Sequence, residues 1–299
     1  MASSTSITQH PLLLNTGQTL KVIEIFLRDE MKRVGFENAV IGLSGGIDSA
    51  LSTYLAVRAL GKDHVHCVMM PYKSSSPESL KDAEEVVSDL GVSSEVVEIT
   101  SMADAYFAMN AEMDNLQKGN VFARLRMIVL YDRSHSRKAL VIGTSNKTES
   151  LLGYTTLFGD NASAINPIGD LYKTQVRQLS KEIGVPKAIL EKAPSADLWS
   201  GQTDENEMGL TYDEADLLLY HLVDCRESDD ELLERGFKQE LIKKVKGMIR
   251  RSQFKRMPPL IAKISPRTVN VDFRYPRDWG KLILARMNDP FIGIFLQIQ

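Results

Sequence analysis

The stretch Ala39-Val40-Ile41-Gly42-Leu43-Ser44-Gly45-Gly46-Ile47-Asp48-Ser49-Ala50-Leu51 decides the fold. Its first five residues have the length and bulk of a buried strand, and Ala50 to Val57 has the spacing of a helix packed on a sheet. A strand, a Gly-rich turn and a helix start make an anion site, because backbone N–H groups converge there and the positive end of the helix dipole points at the ligand. Gly45 and Gly46 let the backbone approach the ligand, and the hydroxyls of Ser44 and Ser49 add donors. Asp48 narrows the reading. A carboxylate inside a phosphate cradle repels the ligand unless a hard divalent cation lies between them, which points to a Mg²⁺-nucleotide. The loop is neither a Walker A nor a Gly-x-Gly-x-x-Gly fingerprint, and no lysine stands beside its glycines. A bare Gly-Gly would equally be a tight turn; the complete Ser-Gly-Gly-x-Asp-Ser after a strand favours function.

Upstream, Leu20, Ile23, Leu27, Met31 and Val34 recur at helical spacing and Gly35 ends the helix. Downstream, Val65 to Met70 reads as a second strand, Ser76-Pro77-Glu78 as a capped helix start running to Gly91, and Ser94 to Ile99 as a third strand. The pattern is β-α-β-α-β, so the expected fold is α/β: a doubly wound parallel sheet with helices on both faces, followed by a helical C-terminal part and an extended tail. Ligands in such sheets lie off the C-terminal strand ends. Two loops occupy such ends, the one at Ser44 and the one after the strand Ala139 to Gly143. The second reads Thr144-Ser145-Asn146-Lys147-Thr148-Glu149. Glu149 stands where a second Mg²⁺ ligand is needed opposite Asp48, and Thr144 and Lys147 are suited to nucleotide oxygens. By itself the loop is equally a helix start with an acid in its first turn, worth about 0.3–1 kcal/mol.

The 299 residues give room for one α/β domain with a terminal extension or for two domains. A formal net charge of -3 leaves no electrostatic footprint for nucleic acid. No apolar stretch approaches the ~18 residues of a membrane span, and the N-terminus lacks the basic and apolar regions of a leader, so a cytoplasmic protein is expected. Of the 2 cysteines, Cys67 lies in an apolar run and reads as a core residue; no metal-binding Cys or His spacing is present. Helices with apolar stripes are expected over Glu214–Val223 and Lys238–Ile249.

The Ser44 to Ser49 loop resembles that of the PP-loop ATP pyrophosphatases, which hold the β- and γ-phosphates of ATP there and cut between the α- and β-phosphates. The blocks Gly119–Met127, Gly143–Glu149, Gly153–Asp160, Pro167–Thr174 and Pro194–Leu198, the last followed by Gly201–Glu205, resemble the NAD⁺ synthetase family in the same order, over roughly Ile23 to Trp279. The resemblance implies ATP- and Mg²⁺-dependent amidation of deamido-NAD⁺ by ammonia through a nicotinate adenylate, giving NAD⁺, AMP and pyrophosphate. It implies that Ser44, Gly45, Gly46 and Ser49 hold pyrophosphate, that Asp48 and Glu149 hold Mg²⁺, and that Thr144, Lys173 and Ser195 contact ATP. Asn120, Arg124, Tyr131, Asp160 and Glu207 match positions that meet the dinucleotide. A guanidinium fork suits Arg124 to phosphates, although Arg124 and Arg126 also read as one charged helix face. Asp160 is expected to steer ammonium into the site and take its surplus proton.

The polar stretch Trp199–Gly209 reads as a mobile cover that closes over both substrates. The expected organisation is a flexible tail over residues 1–15, a PP-loop domain over 16–256, and an extended segment over 257–299 that lies on the domain or against a second subunit, since the family forms homodimers. The chain also departs from some ammonia-dependent relatives: it has Thr144-Ser145-Asn146 where they carry Thr-Asp-His, Ala164 where they have an acid, and Met69 near a place where they have an arginine. At all three places it looks more like the synthetase half of the glutamine-dependent branch, but it has no room for that branch's amidase domain. Ammonia is therefore the expected direct donor, with a separate glutaminase as a possible partner. The rival readings are another PP-loop amide-forming enzyme, such as the ammonia-using part of GMP synthetase, and a non-catalytic nucleotide-binding module.

Overall fold

Val40 and Ile41 have no exposed surface, and the strand that carries them, β1 (Asn38–Gly42), is the axis of the molecule. The computed structural model describes residues 10–110, 112–195, 203–269 and 271. Helix α1 (Thr16–Arg33) precedes β1, and α2 (Ile47–Leu60), β2 (Val65–Met69), α3 (Pro77–Leu90), β3 (Ser93–Val96), α4 (Thr100–Phe107), α5 (Asn115–Ser136) and β4 (Ala139–Ile142) follow it. The four strands are parallel in the order β3-β2-β1-β4, with Ala39 opposite Val65 and Asn38 opposite Ala139. The chain thus moves outward through β2 to β3, then returns to the other side of β1. A reversal of this kind opens a crevice at the C-terminal ends of β1 and β4.

The period of two along the strands sends alternate residues to opposite cores. Ala39, Ile41, Val65, Cys67 and Met69 join α1, α2 and α3 on one face, where Leu20, Ile23, Leu27 and Met31 are buried as the helical spacing predicts. Val40, Val68 and Ala139 face the other way, against Ala103, Phe122 and Val129 of α4 and α5. Both faces are covered, as a parallel sheet requires. The third strand is regular only over Ser93–Val96, but Val97 and Ile99 still donate to the carbonyls of Met69 and Pro71, so pairing alongside the chain leaving β2 continues past it. Ser76 stands at the N-cap of α3 without capping it; its hydroxyl turns to Glu78.

The C-terminal helices are α6 (Lys147–Leu152), α7 (Lys173–Ile183), α8 (Lys187–Glu191), α9 (Asp204–Met208), α10 (Tyr212–Leu219), α11 (Asp229–Glu234) and α12 (Gln239–Arg251). α7 and α8 add Val176, Leu179 and Ile189 to the first core, and the others build a second one around Tyr212, Leu218, Leu232, Ile242 and Val245. Where a single helix was expected over Glu214–Val223, α10 stops at Leu219 and a π-helical turn, Tyr220–Asp224, completes it. A 3₁₀ turn, Gln253–Arg256, follows α12. Of the predicted tail, residues 1–9 lie outside the described residues. Residues 10–15 are docked instead: Leu12 is buried in the second core and its carbonyl accepts from Gln178 Nε2 at 3.0 Å, while Asn15 caps α1. Burying an apolar side chain offsets the ordering of those few residues. Residues 257–269 form no helix, with Leu260 and Ile264 almost fully exposed; residues 272–299, including Pro276 and Trp279, lie outside the described residues.

Candidate active site

The turn after β1 is pinned from inside. Ser49 Oγ donates to the Gly46 carbonyl at 2.9 Å and lies 3.0 Å from Ser44 Oγ, and the Ser44 N–H donates to Ser49 Oγ at 3.2 Å. Ser49 therefore shapes the loop, while Ser44 stands exposed at its outer edge. Gly45 has φ +78°, and a Cβ there would sit 2.1 Å from the Ser79 carbonyl oxygen at the start of α3, so only glycine fits. Gly46 is the N-cap of α2 and makes no side-chain cap bond, which leaves first-turn N–H groups of α2 for an external anion.

Asp48, in that first turn, meets the loop after β4. Asn146 Nδ2 donates to Asp48 Oδ1 at 3.0 Å, and Asn146 and Glu149 form a reciprocal capping box at the start of α6. Lys173 opens α7 and its Nζ lies between the two acids, donating to Asp48 Oδ2 and, at 3.1 Å, to Glu149 Oε1. α7 is held there from below: Thr148 Oγ1 accepts the Lys173 N–H at 3.0 Å and Asp216 Oδ2 accepts the Thr174 N–H at 2.7 Å. Asp204 is the third acid. Tyr212 OH donates to it at 3.0 Å and reaches Glu149 Oε1 at 3.5 Å, and Tyr154 OH donates to both Asp204 and Glu207.

Three carboxylates around one ammonium leave a buried excess of negative charge. Burial raises the Glu149 carboxyl, opposed by the attraction of Lys173, and burial likewise raises Asp204. Burial works against the charge on Lys173, but the pull of Asp48 and Glu149 outweighs it and raises its pKa. The donor atoms are hard oxygens, which fit Mg²⁺ or Mn²⁺ better than a soft metal. Among the described residues, the group of three side chains whose ligand atoms all lie within 4.8 Å of one another is not this one but His221, Cys225 and Glu227. There Arg235 bonds both oxygens of Glu227, so the charge is already balanced.

Beside the acids, a cavity of about 470 Å³ opens off the ends of β1, β2 and β4. Ser44, Thr144, Asn120, Asp160 and Glu207 line it, as do Arg126 and Lys255. Asp160 Oδ1 accepts the Thr156 N–H at 2.7 Å. Asp160 is exposed at the cavity wall, and the protein atoms packed round it raise its carboxyl above the usual range. Asn120 accepts from Thr156 Oγ1 at 2.9 Å. Lys255 donates to the carbonyls of Gly153, at 2.8 Å, and Thr155.

The fold thus gathers Ser44, Gly45, Gly46, Asp48, Ser49, Glu149 and Lys173 at the strand ends, and Thr144, Asn120, Asp160 and Glu207 around the adjoining cavity. Arg124 and Tyr131 are not gathered: both are on the exposed side of α5, with the Arg124 guanidinium on the Leu157 carbonyl at 3.2 Å. Ser195, half-buried, ends the described stretch before residues 196–202. Lys147 turns away from the loop to Asp224, at 2.8 Å, and Asp170, at 3.1 Å, so it does not serve nucleotide oxygens. Of the expected cover, 199–202 lie outside the described residues, and the remainder forms α9, capped by Thr203. Sequence reasoning missed Asn146, Asp204, Tyr154, Tyr212 and Lys255. Asn146 carried a cap signal within its loop, and Tyr154 and Asp204 lay in the blocks Gly153–Asp160 and Gly201–Glu205 without a role; Tyr212 and Lys255 carried no signal, since only long-range packing brings them in.

The family profile described as NAD synthase matches residues 19–259. The NH(3)-dependent NAD(+) synthetase of Trichlorobacter lovleyi is 56% identical over 90% of this chain and 99% of its own length. Among solved structures, the NH3-dependent NAD synthetase of Campylobacter jejuni superposes with a TM-score of 0.72 at 34% identity, covering 84% of this chain and 100% of that one. An NMN synthetase from Francisella tularensis superposes with a TM-score of 0.76, also at 34% identity, over 84% of this chain and 100% of that one. With these acids at the ends of β1 and β4 and these relatives along nearly its whole length, the chain belongs to the NAD synthase family.

Proposed function

We propose that the chain makes NAD⁺ from deamido-NAD⁺, ATP and ammonia, as a ligase that forms a C–N bond. The observation that carries the reading is the meeting of Asp48, Glu149 and Lys173 beside the Ser44–Ser49 turn, whose Ser44 lines a cavity of about 470 Å³. A carboxylate is a poor acyl donor because oxide would have to leave. In the first step an oxygen of the nicotinate carboxylate attacks the α-phosphorus of ATP, the bond to the β-phosphate oxygen breaks, and pyrophosphate departs. In the second, the ammonia nitrogen attacks the acyl carbon, the acyl–oxygen bond breaks, AMP leaves, and one proton is lost from nitrogen.

The Ser44–Gly46 backbone, held in shape by Ser49, and the α2 N-terminus cradle the leaving pyrophosphate. Asp48 and Glu149 would hold Mg²⁺, which when bound neutralises phosphate charge. Lys173, Thr144 and Ser195 hold the nucleotide, and Asn120 and Glu207 the dinucleotide. Asp160, raised by the crowding around it, orients ammonium and takes the surplus proton, since only neutral amine is nucleophilic. Arg124 and Tyr131 contribute from the outer face of α5, whose exposed Ile128 suits a second copy in a homodimer. The domain covers 16–256, and 257–299 lies along it or its partner. No described helix is long and apolar enough to cross a membrane, in keeping with a cytoplasmic site of action. Ammonia is the direct donor; a glutaminase supplying it would be caught by pull-down from native extract.

The family match does not favour a GMP synthetase fragment or an inert nucleotide-binding module. Incubation with ATP, Mg²⁺, ammonium and deamido-NAD⁺ tests the reading, with NAD⁺ and AMP expected in equal amounts. ADP in place of AMP, or preferential turnover of nicotinate mononucleotide, would overturn it.

A further inference from the structure

Lys173 holds the point at which a cation shared by Asp48 and Glu149 would have to sit. Its Nζ donates to Asp48 Oδ2 and, at 3.1 Å, to Glu149 Oε1, and only 2% of its side chain is exposed. It also lies over the Tyr212 ring, 5.0 Å from the centroid. The backbone cannot carry it away, because the N–H groups of Lys173 and Thr174 are tied to Thr148 and Asp216. Movement is left to the flexible four-carbon stem.

Building on the function proposed above, we propose that Lys173 is a resident counter-ion that closes the Asp48–Glu149 pair to free divalent ions. The metal then enters only with a nucleoside triphosphate, whose phosphate oxygens take up the displaced ammonium. Two cations cannot share one point between these acids. An ammonium that left with nothing to receive it would strand a buried charge, and would leave Asp48 and Glu149 uncompensated with Asp204 close by. A metal–triphosphate complex removes both obstacles in one step, since it brings a divalent charge to the acids and oxygen acceptors to the lysine. The device also follows from the absence of lysine in the Ser44–Ser49 turn: the cation that serves the phosphates comes from α7, across the crevice, and in the free protein the acids hold it ready. Metal and nucleotide must then favour each other's binding by the same factor.

Manganese(II) titrations of the full chain, followed by the EPR signal of the free ion, test this. Without nucleotide, the wild-type protein is expected to leave Mn²⁺ free at concentrations about tenfold or more above those at which Lys173→Met binds it. Lys173→Arg, which keeps the charge, should behave as wild type, and the α,β-methylene analogue of ATP should restore Mn²⁺ uptake to both. Wild type that binds Mn²⁺ alone as tightly as Lys173→Met overturns the inference. So does a wild-type Mn²⁺ affinity that the analogue leaves unchanged, a comparison that stands even if Lys173→Met does not fold. Assaying NAD⁺ formation on the same wild-type sample separates the two failures. Wild type that makes NAD⁺ yet takes Mn²⁺ alone sinks only the counter-ion role, whereas wild type that makes no NAD⁺ sinks both readings.

Discussion

Two clusters pair basic groups with carboxylates, and they are built to opposite ends. At the C-terminal strand ends, Lys173 is 2% exposed between Asp48 and Glu149, whose side chains are 18% and 14% exposed, with Asp204 close by. After the π-helical turn, Arg235 bonds both oxygens of Glu227, and His221 adds a bond at 3.1 Å, while half of the Arg235 side chain lies in water. The first cluster is buried and short of positive charge. The second is balanced: Glu227 is only 12% exposed, but its arginine is half in water. A buried imbalance costs stability and marks a place where a ligand can draw on it, whereas a matched pair with one partner in water is partly screened and contributes less.

The comparison is broken most severely by removing one acid of the first cluster. Asp48→Asn should lower NAD⁺ formation by about a thousandfold, read by product assay, because the phosphates lose their shared cation. A residual rate within tenfold of wild type would show that the imbalance is not catalytic. Next, Asp160→Asn should cost about a hundredfold at saturating ammonium. The sign of its pH effect is set by the raised carboxyl: the base works only when ionised, so wild-type turnover should fall as pH drops through that raised value. The asparagine variant should lack this acidic limb. Gly153→Ala addresses the support of the first cluster rather than its chemistry. Gly153 ends α6, which carries Glu149, at φ +75°, and a Cβ would lie 2.0 Å from Ser252 Cβ. The substitution should lower unfolding stability by about 2 kcal/mol in urea. The smallest effect belongs to the second cluster: Arg235→Ala should leave both the urea midpoint and NAD⁺ formation where they are. A clear loss in either would place that pair among the working parts.

Much of this was legible before any coordinates. The Ser-Gly-Gly-x-Asp-Ser turn announced itself because a strand, a glycine pair and a helix start are neighbours in the chain, and Asp48 lies within them. The continuous apolar runs of β1 and β2 marked both strands as buried, and their residues lie in the two cores. Glu149 was placed on the correct loop because β4 was recognised as a strand. Lys147 shows the limit: its position in that loop suggested a phosphate contact, yet Asp170 and Asp224, distant in sequence, claim it. Leu12 shows it again, buried where a tail was expected, because the cover over it comes from the second core. Lys255 is the opposite case, silent in sequence and found in the cavity wall.

By itself, then, the sequence determined much of what depends on neighbours along the chain: the main strands and helices, where the anion turn lies, which family the ordered blocks belong to. Only the tertiary structure decided how the charges are shared. It put the ammonium of Lys173 between Asp48 and Glu149, sent Lys147 elsewhere and brought Asp204 close. Coulomb energy and desolvation depend on distance and burial in space, and neither quantity can be read from spacing along the chain.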